Sequence, residues 1–250
     1  MGSNLQIAPY LGNDHFFHLK RSKLSHLNAA QKKNFWILLV IALVFFTLFA
    51  LPNAAASKNI AMVEVFSADE AQPLPYVFHM IEPGQSLVQT LKNFVFYNYY
   101  PYGFVHFAWS ALVVLPLQWL GLLNNTPLVM LVLRQMVSVL PMLAALLILV
   151  YLQDEFRTYR SILLFIFLVS VPAVVQNNLW WHPDGLVTLW MVLALALLYH
   201  DDLKFGRNYY LTAVFCGLAI ATKLTGLYFF LAVGLVLLLG WRQKKLSLAG

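Results

Sequence analysis

The chain has 250 residues, 61% of them apolar and only 10% charged, with a mean hydropathy of +0.72. A soluble domain carries about 25% charged residues, so this composition excludes an ordinary water-soluble fold. The net charge of +6 does not mark a nucleic-acid binder, because Lys20, Arg21, Lys23, Lys32 and Lys33 precede the first apolar block and Arg242, Lys244 and Lys245 follow the last, the flanking charge of a membrane protein.

Residues 1–34 are polar and read as a cytoplasmic tail, with His15, His18 and His26 scattered among the basic residues. Phe35 to Leu51 is an unbroken apolar run. Ala54, Ala55 and Ala56 imitate a signal-peptidase site, but the basic region ahead of the run is too long for a signal peptide, and a retained helix tethering the next segment is expected. Residues 52–103 form the longest polar stretch, read as a first extracytoplasmic loop with short juxtamembrane helices. It carries Glu64, Asp69, Glu70, His79, Glu82 and Lys92 beside a run of aromatic residues from Phe94 to Tyr102, and connections this long usually have a function.

Further apolar blocks follow at about 104–123, 128–152, 161–176, 179–199, 209–221 and 226–241. Blocks of roughly 17 to 25 residues span a bilayer as helices, whereas porin strands alternate apolar and polar residues. The expected fold is therefore an all-α integral membrane module over residues 35–250, with about seven to eight transmembrane helices. The lone cysteine, Cys216, lies inside one of these blocks, which leaves neither a disulfide framework nor a thiolate metal cluster.

Strict alternation of these blocks would place Arg157, Arg160, Lys204, Arg207 and the basic C-terminal end outside, against the positive-inside rule. An odd number of crossings between 104 and 152, through two short helices or a re-entrant hairpin near Pro141, returns those residues to the cytoplasmic side. It also gathers the 52–103 loop, the Asn177–Asp184 turn and the Lys223 turn on one extracytoplasmic face.

Three polar constellations then share that face. Ser67-Ala68-Asp69-Glu70 has the form of a capping box, but Pro73 would fall in the second turn of a helix begun at Ser67, and a new helix near Pro75 fits better. The two carboxylates are left in an irregular segment, suited to accept a hydroxyl proton as a general base. Trp180-Trp181-His182-Pro183-Asp184 opens a membrane helix; interfacial anchoring explains the indoles but not the ionisable pair, which orients substrate or pairs internally. Lys223, alone between two apolar blocks and followed by Gly226, either snorkels or faces a phosphate. Arg134, deeper in an apolar block, is expected to pair with a carboxylate.

Taken in order, the Asp69-Glu70 pair, Tyr100-Pro101-Tyr102-Gly103, Arg134, Asp154-Glu155-Phe156-Arg157, His182-Pro183-Asp184 and Gly217-Leu218-Ala219-Ile220-Ala221-Thr222-Lys223 resemble the GT-C superfamily of membrane glycosyltransferases. The likeness is to the branch of protein O-mannosyltransferases and lipid A aminoarabinose transferases, whose members are longer, so that the chain resembles their N-terminal portion with the C-terminal remainder absent. The resemblance implies a prokaryotic cytoplasmic membrane protein that moves a sugar from a polyprenyl-phosphate donor to a protein, lipid or glycan hydroxyl outside the cell. It implies Asp69 and Glu70 as catalytic residues, and His182, Asp184, Lys223, Tyr100, Tyr102 and Arg134 as substrate-binding residues. No cofactor is called for, and a divalent metal is compatible with the site. The rival readings are a secondary transporter using Asp69, Glu70 and Asp184 as cation or proton sites, whose site belongs near the bilayer midplane, and a noncatalytic membrane scaffold.

Overall fold

The computed structural model describes residues 27–242. The tail histidines and the basic pair Lys244 and Lys245 lie outside the described residues. Every regular element among the described residues is helical: α1 (Ala29–Ala55), α2 (Ile60–Phe66), α3 (Ala68–Ala71), α4 (Leu74–Ile81), α5 (Leu87–Val95), α6 (Phe104–Trp119), α7 (Thr126–Leu133), α8 (Leu140–Asp154), α9 (Arg160–Val169), α10 (Pro172–Asn177), α11 (Asp184–Asp201), α12 (Arg207–Thr222) and α13 (Phe229–Arg242). A π-helical segment, Arg134–Val139, joins α7 to α8, and a 3₁₀ turn, Leu224–Tyr228, leads into α13.

Among the described residues, four stretches are long and apolar enough to cross a membrane: Ala29–Ala55, Thr126–Asp154, Asp184–Asp201 and Leu224–Arg242. Two of the remaining apolar blocks form shorter helices. The 16 residues of α6 reach roughly 24 Å at 1.5 Å per residue, short of the roughly 30 Å hydrocarbon core. The 161–176 block divides at Ser170 and Val171, because Pro172 starts a new helix, α10, instead of continuing α9.

The start of α1 follows from its sequence. Asn28 accepts a hydrogen bond from the Gln31 amide while the Gln31 side chain accepts from the Asn28 amide, a reciprocal cap. The same end of α1 is tied to the turn after α8, where the Gln31 amide group donates to the Glu155 carbonyl at 2.9 Å and Asn34 to the Phe156 carbonyl at 2.8 Å. Tyr151 on α8 meets His200 at the end of α11. One end of the bundle therefore gathers Lys32, Lys33, Arg157, Arg160, Lys204 and Arg207.

At the other end, Arg134 bonds the Asn53 carbonyl of α1, Ser138 bonds the backbone of His182, and the Gly103 amide donates to the Thr222 carbonyl. Residue 103 thus sits at one end of the bundle and residue 154 at the other. The turn within this stretch is the short Leu120–Asn125 connection between α6 and α7, not a hairpin at Pro141, which lies in the first turn of α8. The core is correspondingly in two parts. One packs α4, α6, α7 and Trp181 beside this second end; the other packs α1 against α8 and α9.

The join between α6 and α12 requires glycine at 103, since a Cβ there would stand 2.1 Å from the Ala221 carbonyl oxygen, whereas a Cβ on Gly217 of the same α12 meets nothing within 4 Å. Gly103→Ala is expected to destabilise the bundle by about 1–3 kcal/mol. Gly217→Ala is expected to be neutral or stabilising by up to about 1 kcal/mol, from helix propensity alone. Thermal unfolding of the two variants in the same detergent measures the difference.

Candidate functional site

The polar end is organised around a buried ion pair. Arg134, 1% exposed, donates from Nε to one Glu70 carboxylate oxygen at 2.8 Å and from Nη2 to the other at 2.6 Å; its Nη1 donates to the Asn53 carbonyl at 2.9 Å. Glu70 is 0% exposed and also accepts from the Trp181 amide. The Trp181 indole donates to Ser110 Oγ at 2.9 Å, and that hydroxyl donates to the His106 carbonyl. One carboxylate thereby ties α3 to α1, to the π-helical segment, to the loop before α11 and, through Trp181, to α6. Bidentate Arg–carboxylate geometry supplies orientation as well as energy, and a π-helical segment widens the turn that carries Arg134.

Asp69, the residue before Glu70, is exposed, and among the described residues no hydrogen bond reaches its carboxylate. It is near enough to Tyr99 and Tyr102 to act on both phenols electrostatically. Burial, followed by the negative charges of Asp69 and Asp184, pushes the Tyr102 phenol up to about 12. Tyr99 is raised by burial and by Asp69. Tyr102 therefore stays protonated at neutral pH, under the influence of both carboxylates.

The second cluster is at the mouth of α11. Lys223 Nζ lies 2.7 Å from Asp184 Oδ1, and His182 Nδ1 is 3.1 Å from Asp184 Oδ2. Asp184 occupies the first turn of α11, where the helix dipole favours a negative charge. Its neighbour Gly185 lets α11 approach the π-helical segment, because a Cβ there would stand 2.5 Å from the Ser138 carbonyl oxygen. Ser138 Oγ both accepts from the His182 amide at 3.0 Å and donates to its carbonyl at 3.2 Å, which fixes the loop that presents the imidazole. Tyr102 packs edge-on against His182 at 5.2 Å, and Trp180 stacks on its other side at 5.0 Å.

The structure thus brings Asp69, Tyr102, His182, Asp184 and Lys223 to one place. Glu70 and Arg134 are adjacent but occupied: their polar atoms are spent on each other and on backbone, so neither has a face for a substrate, and their contribution is to hold the loop. Tyr100 also departs from the expected set, since its ring is mostly exposed and its ring contact runs to Tyr97. The capping box at Ser67 is not formed. Glu70 bonds backbone to backbone with Ser67, the Ser67 hydroxyl has no partner, and α4 begins at Leu74 beside Pro75.

Sequence reasoning missed four contributors. Ser110 and Ser138 are fully buried, and Asn53 holds α1 against Asn178 through a 2.9 Å bond from its amide to the Asn178 carbonyl. His106 stacks on Trp181 at 5.4 Å with both ring nitrogens unpartnered. The signal for all four was an isolated polar residue within or ending an apolar helix, which costs free energy unless it has a partner. Among the described residues no group of three or more His, Cys, Asp or Glu is arranged to hold a metal ion. Comparison of the chain with family models, with characterised proteins and with solved structures finds no match.

Breaking the buried pair from one side leaves a charge without its counter-charge. Glu70→Gln is therefore expected to lower stability by about 3–5 kcal/mol. Glu70→Gln combined with Arg134→Met removes the stranded guanidinium and is expected to recover part of the loss. Detergent unfolding curves of the single and double variants check both, and additive losses would disprove the coupling.

Proposed function

We propose that the protein is a membrane-bound glycosyltransferase that moves a sugar from a polyprenyl-phosphate donor to an acceptor hydroxyl. The observation that carries this reading is the division of labour in the Asp69–Glu70 pair. Glu70 is locked into Arg134, and beside that lock Asp69 is an exposed carboxylate that no hydrogen bond reaches, near Tyr102 and the Asp184–Lys223 pair. A general base needs an ionised oxygen that is positioned but not already satisfied.

In the proposed step the acceptor O–H gives its proton to the Asp69 carboxylate as the acceptor oxygen attacks the anomeric carbon from the face opposite the phosphate. The new C–O bond forms, the bond from that carbon to the phosphate oxygen breaks, and the lipid phosphate leaves with the electron pair, inverting the configuration. Lys223 has three donors and spends one on Asp184, so its ammonium remains able to meet the phosphate as a compact point charge. His182 and Tyr102 flank it as further donors.

The reading also fixes an orientation. The bundle end with Lys32, Lys33, Arg157, Arg160, Lys204 and Arg207 is cytoplasmic by the positive-inside rule, which puts the Asp69 cluster on the extracytoplasmic side. A transporter site would sit near the bilayer midplane, whereas this cluster is built from loops and helix ends.

Turnover is to be measured with the full chain in vesicles and a labelled polyprenyl-phosphate sugar. Asp69→Asn keeps the shape of the side chain and removes its basic oxygen. It is expected to insert and unfold like the parent, bind donor nearly as well, and lose about two to four orders of magnitude in rate. Near-parental transfer by this variant would overturn the assignment of the base. Lys223→Met is expected to weaken donor binding more than Lys223→Arg, which retains a positive charge; equal parental affinity in both would leave Lys223 only its pairing with Asp184.

A further inference from the structure

The first turn of α6 holds a histidine that packing alone does not call for. His106 is 1% exposed and is enclosed by rings: Trp181 stacks on it at 5.4 Å, Tyr102 meets it edge-on at 5.5 Å and Phe107 lies at 5.3 Å. Phenylalanine would fill such a position without stranding a polar atom. Histidine brings two ring nitrogens, and neither has a hydrogen-bond partner. An imidazole always carries at least one N–H donor, and a buried donor left unpaired costs free energy.

The groups next to this ring are supplied with partners. Ser110, one turn further along α6, accepts from the Trp181 indole at 2.9 Å and donates to the His106 carbonyl at 2.8 Å. Both of those bonds leave the imidazole out. The ring is also one of a continuous series: Trp180 stacks on His182 at 5.0 Å, His182 meets Tyr102 at 5.2 Å, and Tyr102 meets His106. At the far end of the series the Trp180 indole nitrogen, which can only donate, is likewise buried without a partner. His106 lies within electrostatic reach of His182, Asp184 and Lys223. The carboxylate among them is already met, by Lys223 at 2.7 Å and His182 at 3.1 Å. Donors are therefore in surplus here, beside a cation, and the local acceptor is spent.

We infer that His106 is a further substrate-binding residue, whose ring N–H joins the Trp180 indole and Lys223 in taking the oxygens of a phosphate. A phosphate offers several acceptor oxygens and a negative charge, and each donor gains a charge-assisted bond. The half-buried Tyr102 ring, edge-on to both imidazoles, is the side chain that parts to admit it. As a contact to a lipid-linked donor, this deepens the transferase reading above and rests on it; the phosphate chemistry itself rests on the unpaired donors.

The test reads affinity, with the full chain in phosphatidylcholine nanodiscs and radiolabelled polyprenyl phosphate carrying no sugar. His106→Phe keeps the ring and removes the nitrogens. It is expected to weaken binding about ten- to a hundredfold while unfolding at the same or a higher temperature, a combination that a purely structural role would not give. His106→Gln, whose amide extends toward the outer ring nitrogen, is expected to bind more tightly than His106→Phe. Parental affinity in His106→Phe overturns the inference, as does a loss of affinity that comes with a lower unfolding temperature. Inorganic phosphate is the competitor: displacement only at large excess assigns the site to the lipid phosphate, and displacement at equal concentration assigns it to free phosphate. A parent that binds polyprenyl phosphate but transfers no sugar would sink the transferase reading and leave the phosphate site standing, whereas a parent that binds neither phosphate overturns the site.

Discussion

The pairing of Arg134 with Glu70 is the contact on which the polar end depends. A charge within an apolar bundle is costly unless its hydrogen-bonding capacity is met, and here both partners are close to saturated: the guanidinium by two carboxylate oxygens and the Asn53 carbonyl, the carboxylate by Arg134 and the Trp181 amide. The consequence is geometric. Four separate stretches of chain must arrive at the same point with their polar groups in register, so the pair specifies where α3 lies relative to α1, the π-helical segment and the start of α11. The tight approaches at Gly103 and Gly185 belong to the same arrangement. They allow helix backbones to close round the cluster, where a side chain would hold them apart.

Much of this was legible in the residues. The apolar blocks locate helices because an unsatisfied backbone group in lipid costs several kcal/mol, leaving helix as the conformation that satisfies each segment by itself. Pro75 correctly places the start of a new helix, α4, because proline suits the first turn of a helix, but the segment with Asp69 and Glu70, expected to be irregular, is the short helix α3. The distribution of Lys and Arg called for an odd number of crossings between 104 and 152, a stretch in which Thr126–Asp154 is long and apolar enough to span and α6 is shorter. Hydropathy could not tell a full span from a short helix. A block such as 161–176 reads as one unit by composition, yet Pro172 divides it, and α6 stops at Trp119 before it has covered the thickness of a bilayer.

The partners of buried polar groups were the least legible part, because pairing distant in sequence leaves no local periodicity. Arg134 announced that it needed a carboxylate, but nothing near it in the chain pointed to Glu70, 64 residues away, rather than to Asp69. The two acidic residues look equivalent as text. Burial separates them, and burial is set by packing of elements far apart in the chain. His106, Ser110 and Ser138 were likewise silent, each a single polar residue in an apolar run whose role rests on a Trp or His side chain or backbone from another loop.

That separation of adjacent carboxylates leaves one buried and its neighbour exposed at the polar end. Consecutive residues on a helical turn project about 100° apart, so when one side chain is fixed inward its neighbour cannot follow it. A lone exposed aspartate on an irregular loop would wander over several ångströms and would find a lysine or backbone amide to neutralise it. Asp69 is denied that freedom: the residue after it is clamped, the proline two residues beyond Ala71 ends the turn, and the nearby phenol of Tyr102 is a neutral donor. The competing cation, Lys223, is held by Asp184 at 2.7 Å, with His182 on the other carboxylate oxygen. The cluster therefore keeps the Asp184 carboxylate paired and leaves that of Asp69 without a hydrogen bond, beside the buried pair of Glu70 with Arg134.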